Sequence, residues 1–279
     1  MPFPFTASSS PTLIRAMVLA LALLMLSPTW MKARKRDKQD GRGMAAYNAI
    51  EPDPLPAQAP LDVRAQKATT AEHRSESFIN TRFKEGIDVS HYQGRIDWEA
   101  LMKGSEISYV YLKATEGAAL ADDTYERNLR EARKVGLSVG SYHFYRPNVA
   151  WDEQFRNLIS VVKKEEQDLT LLIDIETAGK VSSEKFIADL KSFLAKVEEH
   201  YGRKPLLYTY QNFYNKHLAG RFQAYDFMIA KYQPEPPVLS DGKTYLLWQY
   251  TDKGRLPGIA GGVDRSRLVG NSSLESLRM

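Results

Sequence analysis

Two acids set two positions apart at the end of an apolar run offer the most pointed chemistry in this chain. The stretch Asp168-Leu-Thr-Leu-Leu-Ile-Asp-Ile-Glu-Thr177 is almost continuously apolar from Leu169 to Ile175, which suits a strand buried on both faces. Asp174 and Glu176 stand at its C-terminal end. In a strand, residues i and i+2 share a face with backbones roughly 6 to 7 Å apart. Two carboxylates that close, beside an apolar wall, resist ionising together, so one keeps its proton while the other stays charged. A proton donor beside a group that can face positive charge is what cleavage of a glycosidic bond requires. The same Asp-x-Glu also fits a strand end whose solvated acids cap the next helix near Ser182, and so short a pattern does not separate the two.

The elements that would position this pair alternate. Short apolar strands are predicted at 86–90, 108–113, 138–144, 169–176, 205–210, 226–230 and 244–250,. Between them, helical stripes run through Tyr125, Leu129, Ala132 and Val135, then Trp151, Phe155, Leu158, Ile159 and Val162, then Phe186, Leu190, Phe193, Leu194 and Val197,. Ser182 or Ser183 supplies the last stripe with an N-cap, and Gly202 stands near its end,. Repeated β-α units imply a parallel sheet. With no obvious helix between the last strands, the fold class is α/β, an irregular TIM-like β/α barrel with reduced helices in its second half. Ligands of such barrels gather at the C-terminal strand ends. Asp88, Lys113 and Glu116, His143 and Tyr145, Asp174 and Glu176, Tyr208 and Tyr210, and Gln249 and Tyr250 all fall there.

Composition narrows the chemistry further. The 279 residues include no cysteine, which excludes disulfides, thiolate catalysis and cysteine-bound metals,. The histidines at 73, 91, 143, 200 and 217 show no metal-ligand spacing,. The net charge of +4 is concentrated at the start: residues 1–42 hold seven Lys or Arg against two Asp, a net of +5, leaving −1 for the rest. A near-neutral folded region without a phosphate loop argues against a nucleic-acid partner. Ala16 to Leu26 is unbroken apolar sequence with the length of a signal-peptide core,. The domain reading is therefore 1–31 as signal peptide or membrane anchor, 32–82 as a basic and Pro/Ala-rich linker, 83–270 as the catalytic barrel, and 271–279 as a C-terminal tail. It places the protein in the cell envelope, exported or held to the membrane through the N-terminal apolar segment. No metal or organic cofactor is expected.

Collinear blocks then carry a resemblance. Gly86-Ile-Asp-Val-Ser-His-Tyr-Gln-Gly94, Tyr111-Leu-Lys-Ala-Thr-Glu-Gly117, Gly140-Ser-Tyr-His-Phe-Tyr145, Ile173-Asp-Ile-Glu176, Leu207-Tyr-Thr-Tyr210, Trp248-Gln-Tyr250 and Gly262-Val-Asp264 together resemble the glycoside hydrolase family 25 muramidases, the Chalaropsis-type lysozymes. The resemblance spans 84–268. It implies a reduced β/α barrel that hydrolyses the β-1,4 bond between N-acetylmuramic acid and N-acetylglucosamine in peptidoglycan glycan strands. It makes Glu176 the proton donor, with a raised pKa, and gives Asp174 the ionised role of orienting the substrate's own acetamido group. Asp88 is placed at the floor of the active site. Asp264 matches a late aspartate, but the family continues Asp-x-Asn-x-Phe where this chain has Ser266 and Leu268. Tyr142, Tyr145, Tyr208, Tyr210, Trp248 and Gln249, with Asp264, are the candidate sugar-binding residues. Strand alternation lets only half of the aromatic ones face a pocket, with the rest and His143 going to the core. Two alternatives stand beside this reading: a hydrolase of another acetamido-sugar polymer such as chitin, and a non-catalytic glycan-binding or envelope scaffold module.

Overall fold

The computed structural model describes residues 77–279. Eight strands close into a barrel: β1 (Glu85–Val89), β2 (Ile107–Glu116), β4 (Ser138–Phe144), β5 (Leu172–Asp174), β6 (Leu206–Tyr210), β7 (Phe227–Ala230), β8 (Leu247–Gly254) and β9 (Val263–Leu268). The two-residue β3 (Leu120–Ala121) folds back on the end of β2. Neighbours from β1 through β8 run parallel. β9 is antiparallel to both β8 and β1 and seals the ring. The seven predicted strands are all present, and β9 is the addition that closes the barrel.

Helices cover the first half. They are α1 (Trp98–Gly104), α2 (Tyr125–Lys134), α3 (Trp151–Val161) and α4 (Ser183–Tyr201). α4 begins where Ser182 Oγ accepts the amide of Lys185 at 3.2 Å and ends at Gly202 with φ 73°, a left-handed turn that glycine adopts freely,. It buries Phe186, Leu190, Phe193, Leu194 and Val197 against the sheet. Between β6 and β9 only α5 (Gln211–Phe213) and one π-helical turn, Tyr214–Leu218, remain, and no helix follows β7 or β8.

Strand alternation sorts the core into two layers. Val110, Leu112, Val139, Ile173, Leu207 and Ile229 face the helices. Tyr109, Tyr111, Leu172, Tyr208, Met228 and Leu247 fill the barrel. The interior is tight: a Cβ on Gly86 would lie 2.4 Å from the Tyr109 ring, and one on Gly140 2.4 Å from the Tyr111 ring. Those glycines make room for the two tyrosines.

The residues read as a tail, 271–279, belong to the barrel. Leu274 and Leu277 are buried with the interior layer, the amide of Thr170 donates to Leu277 O at 2.7 Å, and the amide of Met279 donates to Asp168 O at 3.0 Å. Asp168 also accepts the amides of Phe78 at 2.8 Å and Val139 at 2.9 Å. Both ends of the described segment are thereby fastened at the N-terminal end of the strands. The apolar segment Ala16–Leu26 and most of the predicted linker lie outside the described residues. Among the described residues, no helix is long and apolar enough to cross a membrane.

Candidate active site

The predicted strand 169–176 is shorter than its apolar run suggests. Leu169 pairs with Arg278 instead, the ladder covers Leu172–Asp174, and the amide of Ile175 continues to Tyr208 O at 2.9 Å. Glu176 therefore lies just beyond the strand. Asp174 is buried and its Oδ1 makes no hydrogen bond among the described residues, while Glu176 is half-buried. Burial first, then the neighbouring Glu176 and Asp88 carboxylates, push the Asp174 carboxyl well above its ordinary value, against a counteracting pull from Lys113. Burial and the neighbouring acids thus favour the protonated form of Asp174, the opposite of the ionised role that the resemblance implies for it.

Asp88 and Asp264 face each other across β1 and β9, as register partners in the antiparallel ladder. Burial pushes Asp88 up to about 6, moderated by hydrogen bonds from Gln249 and Asp264. Burial, together with the charge of Asp88 and the hydrogen bond to it, pushes Asp264 to about 9. Asp264 thus keeps its proton near neutrality and donates it to Asp88. At the C-terminal ends of β1 and β5 and on β9, Asp174 feels the charges of Glu176 and Asp88, and Asp264 feels those of Asp88 and Glu176. They cannot all ionise together.

A polar chain of tyrosines backs them. Gln249 Nε2 donates to Asp88 Oδ2 at 2.9 Å, and Gln249 Oε1 accepts from Tyr208 at 2.8 Å and from Tyr232 at 2.7 Å. Tyr210 stands edge-on to both Tyr208 and Tyr232, each at 6.0 Å. Burial, then the nearby Glu176 charge, raises its hydroxyl pKa. Tyr142 packs with the interior layer. Its pKa is raised by burial and by Asp88, Asp174 and Asp264, which places it among the acids. On the basic side, Lys113 Nζ lies 2.6 Å from Glu116 Oε2, and Arg146 Nε lies 2.8 Å from Glu116 Oε1. Despite burial, these two cations hold Glu116 below its usual value.

Two candidates, Tyr145 and Trp248, sit elsewhere, as does His143. Tyr145 is fully buried in the helix-facing layer, its ring 5.3 Å from Phe193 of α4, because it follows His143 in parity and not Tyr142. His143 is buried between Thr115 Oγ1 at 2.8 Å and Gln154 Oε1 at 3.3 Å, and burial lowers it to about 4, so it stays neutral. Trp248 alternates with Gln249 and turns to the outside of β8, where its Nε1 donates to Lys231 O at 2.9 Å. Conversely, Tyr232 was absent from the candidate set. It follows the end of β7, so the strand-end rule that collected Tyr210 also finds it.

Among the described residues, His91, Asp122 and Asp123 alone cluster closely enough to share a metal ion. The Asp122 carboxylate is already committed. It accepts from the amide of His91 at 2.9 Å and from Thr124 Oγ1 at 2.6 Å, and lies 2.7 Å from His91 Nδ1. That makes it a clasp between two loops.

A barrel with paired acids at its strand ends and a tyrosine-amide network behind them defines a glycoside hydrolase. The chain belongs to glycosyl hydrolases family 25, whose family model matches residues 87–259. It is 36% identical over 197 residues to YegX of Escherichia coli K12, covering 69% of this chain and 71% of that one. It is 30% identical over 216 residues to Lysozyme M1 of Streptomyces globisporus, covering 72% and 73%. A family 25 glycosyl hydrolase structure from Bacillus anthracis superposes with a TM-score of 0.63 at 30% identity, covering 72% of this chain and 96% of that one.

Proposed function

We propose that this chain is a peptidoglycan N-acetylmuramidase, cleaving the β-1,4 bond between N-acetylmuramic acid and N-acetylglucosamine. The observation that carries the reading is the electrostatic cluster of four carboxyls, Asp88, Asp174, Glu176 and Asp264, at the strand ends of a family 25 barrel. Glu176, half-exposed at the mouth, gives its proton to the departing sugar oxygen. The carbonyl oxygen of the substrate's 2-acetamido group attacks the anomeric carbon, and the acetamido nitrogen becomes positive. Positive charge beside a buried carboxyl lowers its pKa, so Asp174 passes its proton to the neighbouring Glu176 as that charge develops, which supplies the proton that Glu176 donates, and its stabilisation is largest in the transition state. Water then opens the ring while Glu176 takes a proton back. Asp264, protonated, pins Asp88, which is ionised above about pH 6 and fixed by Gln249. Tyr142, Tyr208, Tyr210 and Tyr232 surround the sugar. Because the glycan lies outside the cytoplasmic membrane, the reading includes export, with Ala16–Leu26 as the signal or anchor.

The test is digestion of peptidoglycan and of chitin oligomers by the purified full chain, with new reducing ends identified by mass. Muramyl ends are expected. Glucosaminyl ends from chitin alone would replace the substrate, and no new ends from either polymer would leave a binding module. Glu176→Gln is expected to lower kcat by about 10²- to 10⁴-fold while sugar binding persists. Undiminished turnover in that variant would remove Glu176 from its role.

A further inference from the structure

Outside the barrel, on the strands that no helix follows, lies a second polar and aromatic cleft. It has a volume of about 340 Å³ and is lined by Tyr232, Gln233, Pro234, Trp248, Tyr250 and Arg267. Its walls come from the outward parity of β8 and β9: Gln249 and Ser266 turn inward, so Trp248, Tyr250 and Arg267 turn out. The Arg267 guanidinium carbon lies 4.5 Å from the centroid of the Trp248 ring and 5.2 Å from that of the Tyr250 ring, so two mutually tilted aromatic faces confine it,. Arg267 is exposed, and no carboxylate pairs with it among the described residues. The adjacent acid, Glu85, is taken by Arg265 and by the Tyr250 hydroxyl at 2.7 Å. A confined, uncompensated guanidinium in an aromatic cleft suits a carboxylate carried on a body with apolar surface.

Tyr232 joins this cleft to the acids, since its ring lines the cleft while its hydroxyl donates to Gln249, which holds Asp88. We propose that the cleft is a secondary subsite for a peptide-stem carboxylate of the wall polymer, with Arg267 as its anion-binding residue. This rests on the muramidase reading. Muramic acid carries its peptide on the lactyl ether, and an extended four-residue stem reaches about 13 Å. The subsite makes carboxylate-bearing stems better ligands than neutral ones.

The experiment measures binding of soluble glycan oligomers bearing tetrapeptide stems to the full chain carrying Glu176→Gln, with the stem carboxyls either free or converted to carboxamides. Free-acid stems are expected to bind about tenfold more tightly, as for a charge-assisted contact. Adding Arg267→Gln is expected to bring that ratio to about one, and Arg267→Lys, which keeps the charge but not the planar fork, to restore only part of it. Equal binding of the two ligands by the Glu176→Gln parent, or a ratio that survives Arg267→Gln, overturns the proposal. The two readings fail separately: the identity of the reducing ends tests the reaction, and the ratio between free and amidated stems tests the cleft.

Discussion

The two halves of the barrel are held up by different means. From β1 to α4, each inner strand is backed by a helix, and Leu190, Phe193 and Leu194 of α4 are wholly buried against the sheet. From β6 onward the backing thins to a π-helical turn and loops tied by polar contacts. Asp241 accepts from Tyr214 at 2.9 Å, from the Gly220 amide at 2.7 Å and from Gln223 at 2.8 Å. The apolar half fixes Asp174 and Glu176 through a close-packed wall. The polar half leaves the outer face of β8 and β9 open to a ligand. A fold can therefore be rigid where charge must be placed and bare where a polymer must be gripped.

Three substitutions probe that contrast in decreasing order of effect. Phe193→Ala, which empties the layer under His143 and Tyr145, is expected to cost about 3–5 kcal/mol, read as a lowered denaturant midpoint. A cost under about 1 kcal/mol would mean that the helical wall is not the rigid half. Asp241→Ala is expected to cost about 1–2 kcal/mol at pH 7. Its hydrogen bonds outweigh burial and hold Asp241 below the ordinary aspartate value, so its contribution is present above that value and lost as pH falls. The difference between the variant and the wild type should disappear in acid. Asp264→Asn, at the seam between the halves, has the opposite sign. A carboxyl raised from 3.8 to about 9 contributes least at alkaline pH, because the unfolded chain releases a proton that the folded chain retains. The amide still donates to Asp88. The variant should melt about 2–4 °C higher at pH 8, equivalent to about 1 kcal/mol, and level with the wild type at pH 4.

What was legible in the chain follows the same division. The helical stripes and seven strands are apolar patterns, and patterns survive being read in one dimension. β9 is Val-Asp-Arg-Ser-Arg-Leu, with polar groups on both faces. Its inward Asp264 and Ser266 answer Asp88 and the Tyr109 hydroxyl, 2.9 Å from Ser266 Oγ, and only closure of the ring supplies those partners. Tyr145 and Trp248 were separable by parity once Tyr142 and Gln249 were taken as inward. The upward push on the Asp174 carboxyl was not separable, because it depends on burial and on Lys113, Asp88 and Glu116 arriving from other strands.

The fastening at Asp168 has a practical corollary. Phe78 and Met279 meet at the base of the strands, on the side away from the acids. Asp168 thus clasps the first and the last described stretches of chain together. Undoing that single carboxylate would loosen the ring from its foot, on the side away from the acids, as a hem gives way before the collar.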